Sequence, residues 1–223
     1  MTIKPIPFSP PMVRAILREI GAPGTGKAQT RRVVQPQPDA GQFFGSITLL
    51  SDQRKAILRN SCGIRQDINI PYAPSDLLWV REAWQALPEY DRLKPSEIPV
   101  GSDIIHNASR PDMPWGSRKR PGMFMPRWAS RITLRVTDAR CERLQDICEA
   151  DAIAEGIFRQ ANTGLWSHDT SDRTGWVSSY PEMAYEALWR EINGPGAWDK
   201  NPWVWAITFQ PVAGNVDHIK EAS

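Results

Sequence analysis

Arg131-Ile132-Thr133-Leu134-Arg135-Val136-Thr137 alternates apolar and polar residues without a break. That period of two puts one side of a strand in a core and the other in water. Leu77-Leu78-Trp79-Val80-Arg81-Glu82-Ala83-Trp84, entered from a Pro74-Ser75-Asp76 turn, is a second strand candidate. Trp203-Val204-Trp205-Ala206-Ile207-Thr208-Phe209 is a third and ends the ordered chain. Helical signals are shorter. Ser9-Pro10-Pro11 ahead of Met12, Val13, Ile16, Leu17 and Ile20 marks a capped helix with Pro in its first turn. Asp146 and Glu149 have capping-box-like spacing before a helix through Ile153 and Ala154. Pro181 opens another, with Met183, Ala187, Leu188 and Ile192 on one face until Asn193-Gly194 stops it. Short strands with helical connectors and no βαβ rhythm predict an α+β fold, a small mixed β-barrel flanked by short helices.

Outward from these elements lie three irregular stretches, about 35–72, 88–122 and 159–179, rich in Pro, Gly, Ser, Asn and Asp. They are expected as long loop insertions in a single domain over 1–212, followed by a flexible tail over 213–223. A chain of 223 residues can bury one sizeable core. It is cut up by 20 Pro and 15 Gly, but ten Trp make half its aromatic residues and can fill that core. No apolar run approaches the roughly 18 residues of a membrane span. Met1-Thr2-Ile3-Lys4-Pro5 lacks the apolar stretch of a secretory signal. Cys62, Cys141 and Cys148 lack CxxC spacing, and His106, His168 and His218 stand far apart beside no second ligand type. The expectation is a reduced, cytoplasmic protein without metal or cofactor.

The nearly neutral total hides an asymmetry. Residues 1–135 carry 20 Lys+Arg against 11 Asp+Glu, and residues 136–223 carry 7 against 14. A basic half permits contact with phosphates, or simply faces the acidic half in the fold. Trp115, Arg118, Lys119, Arg120, Phe124, Arg127, Trp128 and Arg131 interleave rings with cations, the combination that stacks unpaired bases and tracks a phosphate backbone. The alternative is a packed Trp128 beside a solvated loop tip.

Gly21-Ala22-Pro23-Gly24-Thr25-Gly26-Lys27 matches the spacing of a phosphate-binding loop. However, Ala28 stands where a metal-binding hydroxyl belongs, and a helix rather than a strand precedes the loop. The same lysine enters another constellation. Lys27 and Thr30 are three apart, one turn of helix or a tight turn, so both side chains can face one place. A lysine with a lowered pKa can take a hydroxyl proton, and Arg31 and Arg32 can hold a phosphate or an oxyanion. A solvated basic turn with Thr30 as a cap explains the same spacing.

Gly26-Lys27-Ala28-Gln29-Thr30-Arg31-Arg32 resembles the Gly-x-Lys-x-x-Thr-x-Arg signature of the ASCH family, a branch of the PUA-like β-barrel superfamily. Asp76-Leu77-Leu78-Trp79-Val80 is similar to the family's Gly-Asp-x-Leu-x-Val strand, with Ser75 in place of its Gly. Met125-Pro126-Arg127-Trp128, Leu144-Gln145-Asp146-Ile147, Asp151-Ala152-Ile153-Ala154-Glu155-Gly156 and Asn201-Pro202-Trp203-Val204-Trp205 follow in the order of phage- and prophage-encoded ASCH-like proteins. The resemblance implies a PUA-like barrel in a bacterial host cytosol that binds RNA, single-stranded nucleic acid or a modified nucleoside at its mouth. Small bacterial members are amidohydrolases acting on N(4)-acetylcytidine, which places catalysis on Lys27, Thr30 and Glu155 and substrate binding on Arg31 and Arg32. The residues alone leave Glu155 as readily a solvated carboxylate at a helix end before Gly156. Two other functions remain open: a hydrolase of free acylated nucleosides, and a non-catalytic phage accessory protein binding a host protein.

Overall fold

In the computed structural model the alternating stretch forms the first half of a strand that runs on to Arg143. The structure describes residues 1–38, 47–50, 54–59, 65–109, 117–168 and 177–219. In chain order their strands are β1 (Ile3–Pro7), β2 (Gln29–Val33), β3 (Ile47–Leu50), β4 (Lys55–Arg59), β5 (Arg65–Asn69), β6 (Leu77–Arg81), β7 (Trp84–Ala86), β8 (Ile104–His106), β9 (Ile132–Arg143), β10 (Phe158–Arg159), β11 (Trp166–Ser167), β12 (Val177–Ser178) and β13 (Trp203–Ala213). The α-helices are α1 (Pro10–Gly21), α2 (Glu149–Ala154) and α3 (Pro181–Asn193). The main sheet has the order β1-β6-β9-β13-β2, with β1 parallel to β6 and the other neighbours antiparallel.

The fold is therefore α+β, as the sequence implies, but the expected barrel is not closed. Among the described residues, β1 and β2 remain the sheet's two edges with no ladder between them. The curl brings them close enough for a side chain to bridge the gap: an Arg32 Nη of β2 donates to the Pro7 carbonyl of β1 at 2.7 Å. α1, which joins the two edges, lies against β13 and contributes Val13 and Ile16 to the core with Ile6, Leu78, Leu134, Trp205 and Ile207. Burying one indole such as Trp205 contributes on the order of 5 kcal/mol before entropy is counted. A second apolar cluster fills the space between the sheet, α2 and α3.

Several local expectations change. The three insertions are not bare loops: a β3-β4-β5 sheet lies in the first, β8 pairs with β7 in the second, and β11 and β12 lie in the third. The tail over 213–223 is anchored as far as it is described. Asn215 donates to the carbonyls of Arg127, Trp128 and Ser130, and buried Val216 packs on Leu77 and Trp79. Asp146 falls in a 3-10 turn, and α2 starts after Cys148 with no side-chain cap. α3 is rotated from its expected phase. Ala184, Tyr185, Leu188 and Trp189 face inward and Met183 and Ile192 outward, because two large rings at i and i+4 bury more area than the smaller apolar side chains.

The glycine-rich segment is a turn whose amides are already taken. Glu19 accepts hydrogen bonds from the Gly24 and Gly26 N–H groups, leaving no cradle there for a phosphate. A Cβ on Gly26 would lie 2.3 Å from the Ala15 carbonyl oxygen, so only glycine lets the chain pass α1 here.

Candidate functional site

β2 is an edge strand, and its entry is clamped on both sides. Lys27 N–H donates to the Ala15 carbonyl of α1, and Ala28 N–H donates to the Ala154 carbonyl at the end of α2. Lys27 and Glu155 form an antiparallel bridge there. The Lys27–Thr30 spacing is thus extended chain rather than a helical turn. Gly156 makes the approach possible: its φ is +102°, and a Cβ would meet the Ala15 and Lys27 side chains at 3.0 and 3.2 Å.

The Lys27 side chain is fully buried and donates to the Glu155 carboxylate at 2.5 Å and to the Glu155 carbonyl at 2.8 Å. Burial pushes the Lys27 pKa down, against the opposing pull of Glu155, and the positive charges of Arg32 and Arg31 add to the lowering. Arg31 approaches the other Glu155 oxygen at 3.3 Å and pairs with Glu142 at 2.6 Å and Asp151 at 2.8 Å. Arg140 completes this network through Glu142 and Asp151, and Gln29 donates to Asp151. Lys27, Arg31 and Arg140 thus face Glu155, Asp151 and Glu142, and Asp138, 3.8 Å from Arg140, is a fourth carboxylate at the rim of the network. Arg32 stands outside this network. Its guanidinium lies 5.1 Å from the Phe8 ring centre, and among the described residues it has no carboxylate partner. Its Nε is buried without a hydrogen bond, and burial lowers its pKa.

A cavity of about 320 Å³ opens along this edge, lined by Met12 of α1, Thr30 to Val33 of β2, Glu155, and Tyr185, Leu188 and Trp189 of α3. Four of the five residues expected at the site, Thr30, Arg31, Arg32 and Glu155, line it together. Lys27 lies behind Glu155 instead of in the wall. The Thr30 hydroxyl has no hydrogen bond to the protein among the described residues, and no hydrogen bond joins it to Lys27. Trp189 Nε1 is buried without a partner. The Tyr185 phenol is held neutral, its pKa raised well above the usual value by burial and by the nearby Glu155 charge.

The strand edge adds polar groups of its own. The Ala28 carbonyl and Val34 N–H both point to β13. By strand alternation Arg31 and Val33 direct their N–H and C=O groups the other way, along the open edge. The wall thus offers main-chain donors and acceptors, an indole N–H, a phenol, a hydroxyl and a carboxylate around an apolar floor. That mixture suits one flat, polar-edged ring system.

The described residues of the basic and aromatic stretch line no part of this cavity. Trp115 lies outside the described residues. Arg120 is buried, donates to the carbonyls of Tyr90 and Leu93 and covers the Trp84 ring. Arg131 grips buried Glu82 at 2.8 and 3.0 Å, Arg127 pairs with Asp217, and Trp128 packs on the cluster around Trp84 and Met125. These groups hold the fold. Arg118 and Lys119 are exposed. Gly122 in this stretch packs on the Arg81 carbonyl, which accepts from the Phe8 N–H, so part of the stretch backs the Phe8 side of Arg32 without lining the cavity.

Sequence reasoning missed Tyr185, Trp189, Gln29, Glu142 and Asp151. The i, i+4 spacing of Tyr185 and Trp189 on α3 was the available signal for the first two; the missed acidic partners of Arg31, Glu142 on β9 and Asp151 on α2, stand at no spacing that ties them to it. No family model, curated protein or solved structure matches the chain.

Proposed function

We propose that this cavity binds a modified nucleobase, as a nucleoside or within RNA, and hydrolyses an acyl amide on it. One observation carries the reading: a buried lysine–carboxylate pair opens through Glu155 onto the same small cavity as an unbonded threonine hydroxyl. A structural ion pair alone is weak support for stability, because desolvation offsets most of its attraction. This pair is instead placed where a proton can be passed to and from a ligand. The likeness of Gly26–Arg32 to the ASCH signature points to the same three side chains.

The chemistry follows from what faces the cavity. Thr30 Oγ1 attacks the acyl carbon of an exocyclic amide, and Glu155 takes its proton. Lys27 and Arg31, bonded to the two carboxylate oxygens, set the Glu155 orientation. Glu155 then protonates the departing amine nitrogen as the C–N bond breaks, leaving the acyl group as an ester on Thr30. Water, deprotonated by Glu155, cleaves that ester and returns the hydroxyl. The balance is amide plus water giving amine plus carboxylic acid. Lys27 touches no substrate in this scheme and is a positioning residue; Thr30 and Glu155 are catalytic.

Turnover of N(4)-acetylcytidine to cytidine and acetate tests the reading. Wild type is expected to release both, Thr30→Val and Glu155→Gln to release neither, and Lys27→Met to shift the pH profile as well as the rate. Absence of turnover by the folded wild type removes this activity.

A further inference from the structure

The gap between the two sheet edges holds a second cavity, of about 420 Å³, which shares Arg32, Val33 and Gln35 with the first. Its remaining wall includes Asn69, Tyr72 and Trp205. Among the described residues no carboxylate lines it. On its floor the Pro71 carbonyl accepts from Lys4 Nζ at 2.7 Å and an Arg54 Nη at 3.1 Å, so two further cations lie close by. Asp76 answers one of them. Arg32 is the partition between the cavities, and among the described residues it has no carboxylate within salt-bridge distance, although the Glu155 charge reaches it. Its guanidinium has one hydrogen bond among the described residues, to the Pro7 carbonyl. A half-buried guanidinium without a direct ion-pair partner among those residues suits a phosphate. A phosphate at that position sits between two spaces, each large enough for one ring system.

We propose that the ligand of this site is a phosphodiester-linked nucleotide pair. The acylated base occupies the first cavity, its phosphate lies on Arg32, and the adjoining nucleoside fills the second cavity against Tyr72 and the amides of Asn69 and Gln35. This rests on the reading of the first cavity given above and narrows it, from free nucleosides to nucleotides within a strand. The open seam between β1 and β2 then has a role: a closed ladder would remove the space that the second nucleoside needs.

Affinities of the Thr30→Val protein, which cannot consume its ligand, test the proposal by calorimetry at fixed salt. The probes are N(4)-acetylcytidine, its 5′- and 3′-monophosphates, and the dinucleotides that carry an unmodified cytidine on either side. One monophosphate is expected to bind roughly tenfold more tightly than the nucleoside, the step of one charge-assisted contact. The dinucleotide extended on that same side should gain several-fold more. Adding Arg32→Gln collapses the first ratio, and Arg32→Lys, which keeps charge but not the planar fork, restores part of it. Adding Tyr72→Ala with Asn69→Leu collapses only the second ratio. A folding defect lowers all affinities together and leaves the ratios intact, so it cannot imitate these results. Equal binding of nucleoside, monophosphates and dinucleotides overturns the proposal while the nucleobase reading stands. Failure of every probe to bind overturns both.

Discussion

Asp76 and Glu155 are both buried carboxylates met by cations, and they are satisfied in opposite ways. Asp76 accepts from the N–H groups of Thr2 and Ala73, from the Thr2 hydroxyl, and from both terminal nitrogens of Arg54. These fixed donors pull its pKa far below the ordinary carboxylate range despite its burial. Glu155 is shared by one ammonium and one guanidinium and faces a cavity. A carboxylate saturated by rigid donors is a strut that ties the N-terminus and Arg54 to the start of β6. In the function proposed above, the carboxylate between a buried lysine and a cavity is the one that meets the ligand. Burial and charge pairing alone do not separate the two; the surroundings of the remaining lone pairs do.

The largest expected effect is on the Glu155 side. Glu155→Gln should lower N(4)-acetylcytidine turnover by about 10²–10⁴-fold, the range of a lost general acid–base group, and Lys27→Met should lower it less and shift its pH profile. Each also leaves a buried partner uncompensated, which costs about 3–5 kcal/mol in urea unfolding. The double replacement Lys27→Met with Glu155→Leu should recover much of that stability and none of the turnover. Recovery of both would make the pair a strut like Asp76.

The mirror experiment is Asp76→Asn. It should cost about 3 kcal/mol of unfolding free energy and leave turnover per folded molecule unchanged. A turnover loss matching that of Glu155→Gln would erase the distinction.

The pH dependence of stability comes next. A depressed folded pKa means that Asp76 stabilises the fold above its unfolded value of about 3.9. That contribution is lost as pH falls from there toward the folded pKa. Urea midpoints of wild type should therefore fall steadily below about pH 4, and Asp76→Asn should flatten the slope. Parallel slopes for the two proteins would mean that other carboxylates control acid unfolding.

The smallest effect is expected from the exposed cations Arg118 and Lys119, which do not line the cavity. Arg118→Glu with Lys119→Glu should leave N(4)-acetylcytidine turnover unchanged, while the salt slope of single-stranded RNA binding in a filter assay falls by about one to two. A loss of turnover would tie these cations to the reaction.

The sequence made the strands legible where alternation or apolar runs met turn residues, as at Leu77, Ile132 and Trp203. The likeness of Gly26–Arg32 to the signature, with that of Asp151–Gly156 to the family's helix, also pointed to Lys27, Thr30, Arg31, Arg32 and Glu155, of which all but Lys27 line one cavity. The sequence did not reveal that Lys27 would point at Glu155 rather than at Thr30, because that depends on a bridge between segments 128 residues apart. Nor could it divide the arginines. Arg32 and Arg120 look alike as members of basic runs, yet the second is buried under Trp84 with its donors on carbonyls and the first divides two cavities. The open seam was equally invisible, since closure of a sheet depends on the curl and on what α1 places between its edges.

The central claim is that the Thr30–Glu155 cavity receives the acylated base. Trp189 Nε1–H, buried and unbonded in that wall, is its natural reporter. Proton–nitrogen correlation spectra of the Thr30→Val protein titrated with N(4)-acetylcytidine test the claim most directly, with the indole assigned through Trp189→Phe. The account predicts a saturable shift of the Trp189 signal with the tryptophans outside the cavity left in place; an unmoved Trp189, or an equal shift of all the indoles, would contradict it.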